Sequence, residues 1–207
     1  MKQAIPFLVA HLGRQMAPCV FATDAEGVNQ QDLGGYGVVG AQVPLDVAEA
    51  ALLAGPAGGR TITKLNGDIT KLRDGHRELR RCYGVSRLPR QLLDASEYEW
   101  KTLAHGRWRR AEHITLGEGR GALCLLEGLA AEPRAHGFVV LSIMDNEPWA
   151  HASGKGRSPT FRLNRLLRRR ASLGALTDIE FLQPWADTAH QHADTASRLR
   201  CPQSSGN

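Results

Sequence analysis

Two short apolar runs, far apart along the chain, each end in an aspartate and constrain the fold more than any other feature. Residues 19–24 read CVFATD and residues 137–145 read GFVVLSIMD. Apolar runs of this length are typical of buried strands. Because ligands gather at the carboxyl ends of strands in an open α/β sheet, Asp24 and Asp145 are candidate site residues.

The remaining pattern predicts an α/β fold with a mixed five-stranded sheet and helices on both faces. The glycine-rich residues 34–43 predict a second strand that pairs with the first as a hairpin. Further strands are expected at residues 108–114 and 178–185. Helices are expected at residues 118–131, from residue 161 to about 173, and through Asp194.

The length of 207 residues suits one domain with an insertion. We assign residues 19–198 to that domain and residues 1–18 to an N-terminal extension. Residues 44–99 mix charge with sparse apolar residues, which predicts a helical and loop insertion after the second strand. Residues 199–207 are expected to form a disordered tail.

The formal net charge of +5 comes mainly from arginine and favours a nucleic acid partner. A merely basic soluble protein is the alternative, and charge alone does not separate the two. Four cysteines lie far apart without a Cys-x-x-Cys pair, which argues against a zinc ribbon and a disulfide scaffold. No stretch approaches the roughly 20 apolar residues of a membrane span. We therefore expect an intracellular protein, cytoplasmic or nuclear.

Four acids are candidates for one site: Asp24, Glu118, Asp145 and Asp194. Carboxylates that converge in a partly buried site repel one another unless cations neutralise them. Oxygen ligands suit Mg²⁺ or Mn²⁺, and two such ions about 4 Å apart can assist phosphodiester hydrolysis. Spacing does not demonstrate convergence, so a helix cap or a turn remains the alternative for each acid taken alone.

Several segments, in this order, resemble the ribonuclease H domain of retroelement polyproteins. The first pair is FATDA at residues 21–25 with GYGVV at 35–39. The later ones are HITLGE at 113–118, MDN at 144–146, SGKGRS at 153–158 and ADTASR at 193–198. The similarity runs from about residue 19 to 198. It departs from the family at position 26, where Glu stands in place of serine, and at the glycines around Glu118.

The resemblance implies a ribonuclease H-like fold and an endonuclease that cleaves the RNA strand of RNA–DNA hybrids. It implies Asp24, Glu118, Asp145 and Asp194 as ligands of two Mg²⁺ or Mn²⁺ ions. It also implies an origin beside a reverse transcriptase or recombinase module of a related polyprotein. The expected nucleic-acid contacts, partly on a flexible basic loop and an arginine-rich helix, are Asn146, Lys155, Arg157, Ser158, Arg162 and Arg165.

Two other functions remain open. The chain could be a catalytically inactive nucleic-acid-binding remnant of the same fold, or a protein-interaction domain that docks through residues 44–99. Gly117, Gly119 and Gly121 surround Glu118. Because each glycine costs a helix about 1 kcal/mol relative to alanine, a loose first turn is expected there.

Overall fold

The first apolar run forms the central strand of a five-stranded sheet. The computed structural model describes residues 14–28, 32–53 and 88–199. Within them the strands are β1 (Met16–Glu26), β2 (Gly35–Gln42), β3 (Lys101–Arg107), β4 (Val139–Ile143) and β5 (Glu180–Leu182). Their order across the sheet is β3-β2-β1-β4-β5. β1 is antiparallel to β2 and parallel to β4, so the sheet is mixed.

Helices cover both faces of this sheet. They are α1 (Leu45–Leu53), α2 (Arg90–Leu93), α3 (Ile114–Ala130), α4 (Glu147–Lys155), α5 (Phe161–Thr177) and α6 (Asp194–Ser197). Two short 3-10 turns lie at Pro133–Ala135 and Thr188–His190.

Alternate side chains of β1 enter two separate cores. Val20 and Ala22 pack with residues of α1, α2 and α6 on one face. Phe21 packs on the other face with α3, α4 and α5. The expected α/β architecture with a mixed sheet is therefore confirmed, and it is consistent with a ribonuclease H-like fold.

Two sequence predictions in the middle of the chain are wrong. The strand expected at residues 108–114 lies earlier, at Lys101–Arg107. His113 instead caps α3, because its Nδ1 accepts a hydrogen bond from the Thr115 N–H at 3.3 Å. The helix therefore begins at Ile114, four residues before the predicted start.

Residues 154–158 were expected to form a flexible basic loop, but α4 covers the first two of them. Asn146 caps this helix by accepting from the Trp149 N–H at 3.0 Å, and Gly156 ends it with a φ of 67°. The sequence EPWAHASGK of α4 has little apolar periodicity, which explains why the helix was missed.

The predicted domain boundaries lie partly outside the described residues. β1 begins at Met16, so it extends into the predicted N-terminal extension, whose residues 1–13 are not described. Of the predicted insertion, the described parts are residues 44–53, which include α1, and residues 88–99, which include α2. Most of the predicted tail lies outside the described chain. Among the described residues, no helix has the length and hydropathy needed to cross a membrane.

The glycines of α3 allow a close contact between helices. A Cβ placed on Gly119 would lie 2.5 Å from Cζ3 of the buried Trp149 ring, and one on Gly117 would lie 3.4 Å from Ala25 Cβ. Gly121 faces Tyr36 and the carbonyl oxygen of Asp24. These glycines are buried in packed contacts, which is not the loose first turn that the sequence suggested.

Two glycines of the same helix give a matched test of this packing. We expect Gly119→Ala to lower the free energy of unfolding by about 1–3 kcal/mol, because the methyl group overpacks against Trp149. Gly128 has no atom within 4 Å of its Cβ position, so Gly128→Ala should raise stability by roughly 0.5–1 kcal/mol. Urea unfolding measures both changes. Equal stability of the two variants would contradict the close packing of α3 on α4.

Candidate metal centre

Three carboxylates meet where β1, β4 and α3 come together. Asp24 lies near the carboxyl end of β1, and Asp145 follows β4 by two residues. Because β1 and β4 are parallel neighbours, these two residues reach the same edge of the sheet. Glu118 approaches from the second turn of α3. One carboxylate oxygen of each residue lies within 4.8 Å of the other two.

Glu118 is buried with half of its carboxylate unpartnered. Glu118 as a whole is only 2% exposed to solvent. Oε1 accepts a long hydrogen bond from the Ala25 N–H at 3.4 Å. Oε2 has no hydrogen-bond partner among the described residues. A buried carboxyl oxygen without a partner is costly, and a cation at this position would satisfy it.

Neighbouring residues hold the carboxylate of Asp24 and the backbone of Asp145. Ser197 of α6 donates from Oγ to Asp24 Oδ2 at 2.6 Å, and both residues are buried. Trp185 donates from Nε1 to the Asp145 carbonyl oxygen at 2.8 Å, and its backbone forms a parallel bridge with Met144. These contacts fix the backbone that presents Asp145 and leave its carboxylate half-buried in the site.

Asp194 lines the same cleft but lies outside the group of three. Its Oδ1 accepts from the Arg198 guanidinium at 2.6 Å. The cleft has a volume of about 330 Å³, and Thr188, Asn146 and Glu26 also line it. Of the four acids predicted from the sequence, the structure thus brings three together. The fourth, Asp194, lines the same cleft but is not part of that group.

Burial and mutual repulsion dominate the electrostatics of the site. Burial, and then the charges of Asp145 and Asp194, raise the pKa of Asp24 to about 6, against the opposing hydrogen bond from Ser197. Burial and the charges of Asp24 and Asp145 raise the pKa of Glu118 well above its ordinary value. Raised pKa values of this kind are typical of buried carboxylates that lack a counter-ion.

The residues fit a metal ion. Asp24, Glu118 and Asp145 offer only oxygen ligands, which suits a hard divalent cation. The unpartnered Oε2 of Glu118 offers a buried oxygen that could bind such an ion. Three acidic residues therefore lie close enough to hold a metal ion.

The predicted nucleic-acid contacts are not gathered around this cleft. Asn146 lines it, although the same side chain caps α4. Ser158 holds a turn, because its N–H donates to Asn164 Oδ1 at 2.8 Å. The remaining four are exposed and do not line the cleft: Lys155, Arg157, Arg162 and Arg165.

Sequence reasoning missed three residues that shape the site. Ser197 and Arg198 were in the ADTASR segment, yet neither was assigned a contact with an acid. Their spacing from Asp194, three and four residues, places all three on adjacent helical positions and was an available signal. The third is Arg107, which pairs with Glu26 at 2.9 Å beside the cleft. No local pattern connects residues so far apart in the chain.

The raised pKa of Asp24 predicts how stability depends on pH without divalent ions. In EDTA, the free energy of unfolding should fall as pH rises from 3.8 to about 6, because the unfolded state releases a proton that folded Asp24 retains. Asp24→Asn should raise stability at about pH 8 by on the order of 2 kcal/mol. At about pH 4 the variant and the wild type should differ little.

Chemical denaturation at several pH values tests this, with Asp46→Asn as the control at an exposed carboxylate on α1. Wild-type stability that is flat across this pH range, or a destabilised Asp24→Asn variant at about pH 8, would contradict the described burial and repulsion.

Comparison with protein-family models and with curated proteins gives no match. The function must therefore be inferred from the side chains and their surroundings.

Proposed function

We propose that the chain is a metal-dependent endonuclease that hydrolyses the RNA strand of RNA–DNA hybrids. The observation that carries this proposal is the convergence of Asp24, Glu118 and Asp145, one of which, Glu118, has a buried oxygen without a hydrogen-bond partner. Carboxylates arranged in this way at the end of parallel strands suit divalent ions and phosphoryl chemistry. Mg²⁺ or Mn²⁺ fits the ligand set best.

Asp24, Glu118 and Asp145 would hold the ions, with Asp194 as the fourth ligand once it is free of Arg198. Such ions supply the positive charge that activates water and stabilises the leaving oxygen of a phosphodiester. The protein positions the ligands: the Ser197 hydroxyl orients Asp24, and the Ala25 N–H holds one oxygen of Glu118. Burial of Asp24 and Glu118 limits competition from bulk water.

A nucleic acid substrate is favoured by the formal net charge of +5 and by the open cleft. The choice of an RNA–DNA hybrid rests on the resemblance to retroelement ribonuclease H domains. That resemblance also favours action beside a reverse transcriptase or recombinase module, in the cytoplasm or the nucleus. An inactive nucleic-acid-binding domain and a protein-interaction domain are the alternatives that the experiment below separates.

Two glutamates on helices provide a matched test of the proposed activity. We expect wild-type protein to cleave a labelled RNA–DNA hybrid with Mg²⁺ or Mn²⁺, and to leave the DNA strand intact. Glu118→Gln removes a charged ligand and should reduce the rate by about 100-fold or more, since even indirect changes at metal sites cost about 10–100-fold. Glu49→Gln removes an exposed charge on α1 and should retain the wild-type rate.

Cleavage of duplex DNA or duplex RNA in preference to the hybrid would support the proposed nuclease activity but contradict the proposed specificity for RNA–DNA hybrids. Hybrid binding by folded wild type, without cleavage in either ion, would identify the inactive remnant. Absence of both binding and cleavage would favour the protein-interaction domain.

A further inference from the structure

Arg198 is the one basic residue among the described residues that line the cleft. It directly follows α6, and its guanidinium donates to Asp194 Oδ1 at 2.6 Å. The other charged residues lining the cleft are five acids: Asp24, Glu26, Glu118, Asp145 and Asp194. An arginine placed among so many carboxylates serves as an internal counter-cation.

The Arg198–Asp194 pair is exposed and therefore easily broken. The side chains are 62% and 38% exposed, and pairs of this kind are worth only about 0.2–1 kcal/mol. By contrast, the pair that Arg107 forms with the cleft residue Glu26 is more buried, with side chains 21% and 20% exposed. A ligand therefore needs little free energy to separate Arg198 from Asp194 and bind the guanidinium itself.

We propose that Arg198 is an exchangeable counter-ion of the site, which pairs with Asp194 until a phosphate of the bound nucleic acid strand takes it over. This inference rests on the proposed function and deepens it. A guanidinium forms bidentate, charge-assisted hydrogen bonds with a phosphate, and its present pair with Asp194 is an exposed one that solvent weakens. The exchange would free Asp194 to act as a metal ligand at the moment when substrate is present.

The same exchange makes the two metal positions unequal. Arg198 takes no part in the group formed by Asp24, Glu118 and Asp145. These three residues therefore bind one ion in the absence of nucleic acid. A second ion needs Asp194, whose Oδ1 is held by Arg198. The second ion therefore competes with Arg198 and binds more weakly when no substrate is present.

A nearly identical ion pair elsewhere in the chain provides the control. Arg169 of α5 contacts Glu127 of α3 at 2.6 Å, with side chains 63% and 41% exposed, outside the cleft. Arg198→Ala and Arg169→Ala therefore remove the same charge from pairs of the same length and exposure. Only the first substitution releases an acid of the proposed metal site.

The first measurement is Mn²⁺ binding without nucleic acid, followed by electron paramagnetic resonance. We expect wild type to bind one ion tightly and a second weakly. Arg198→Ala should tighten the second by roughly two- to five-fold, the range that an exposed ion pair provides. Arg169→Ala should match wild type. In an Asp194→Asn background, Arg198→Ala should give no gain, because Arg198 acts through Asp194.

The second measurement is hybrid binding in EDTA, where no cleavage occurs, by fluorescence anisotropy across a salt series. Loss of a phosphate contact in Arg198→Ala should weaken binding at every salt concentration. It should also reduce the slope of log affinity against log salt by about one. Arg198→Lys keeps the charge and should retain most of that slope.

Each outcome separates this inference from the proposed function. Equal Mn²⁺ affinities for Arg198→Ala, Arg169→Ala and wild type would overturn the inference and leave the metal site intact. A gain that persists in the Asp194→Asn background, or an unchanged salt slope in Arg198→Ala, would also overturn it. Absence of any bound Mn²⁺ in wild type would reject the proposed function, and the inference with it.

Discussion

Repulsion among Asp24, Glu118 and Asp145 is the constraint on which the rest of the site depends. Two of these carboxylates, Asp24 and Glu118, are buried, and the charge of Asp145 adds to burial in raising the pKa of both. The free energy needed to bring them together comes from the packed sheet and helices around them, because folding of a large core outweighs local strain. A divalent cation bound here would relieve this repulsion, so the local cost would appear as a gain in the free energy of ion binding.

Close backbone approach is what allows this convergence. Gly119 brings α3 against Trp149, and Gly37 of β2 faces α6, where a Cβ would lie 2.3 Å from the Ser197 nitrogen. The two glycines lie in different elements but have the same effect. Each lets an element that carries a site residue pack directly on its neighbour without an intervening side chain.

The site residues that follow strands could be predicted from the sequence. The contacts between side chains at the site could not. Asp24 and Asp145 end apolar runs, and parallel pairing of those runs brings them together. Glu118 required the family resemblance, because the helix start at Ile114 could not be read from the glycine-rich segment. The i, i+4 spacing of Asp194 and Arg198 was visible in the sequence, but spacing alone does not show that the two side chains pair.

The short length of α6 has a consequence for when the site forms. A helix of four residues has no stability of its own, since isolated helices shorter than about 12 residues are marginal in water. α6 must therefore be held by tertiary contacts, including the Ser197 hydroxyl on Asp24, a link between residues 173 positions apart. During synthesis, Asp24 emerges long before this partner does. The cleft is consequently completed only after nearly the whole described chain has left the ribosome, because α6 is the last helix of the described residues.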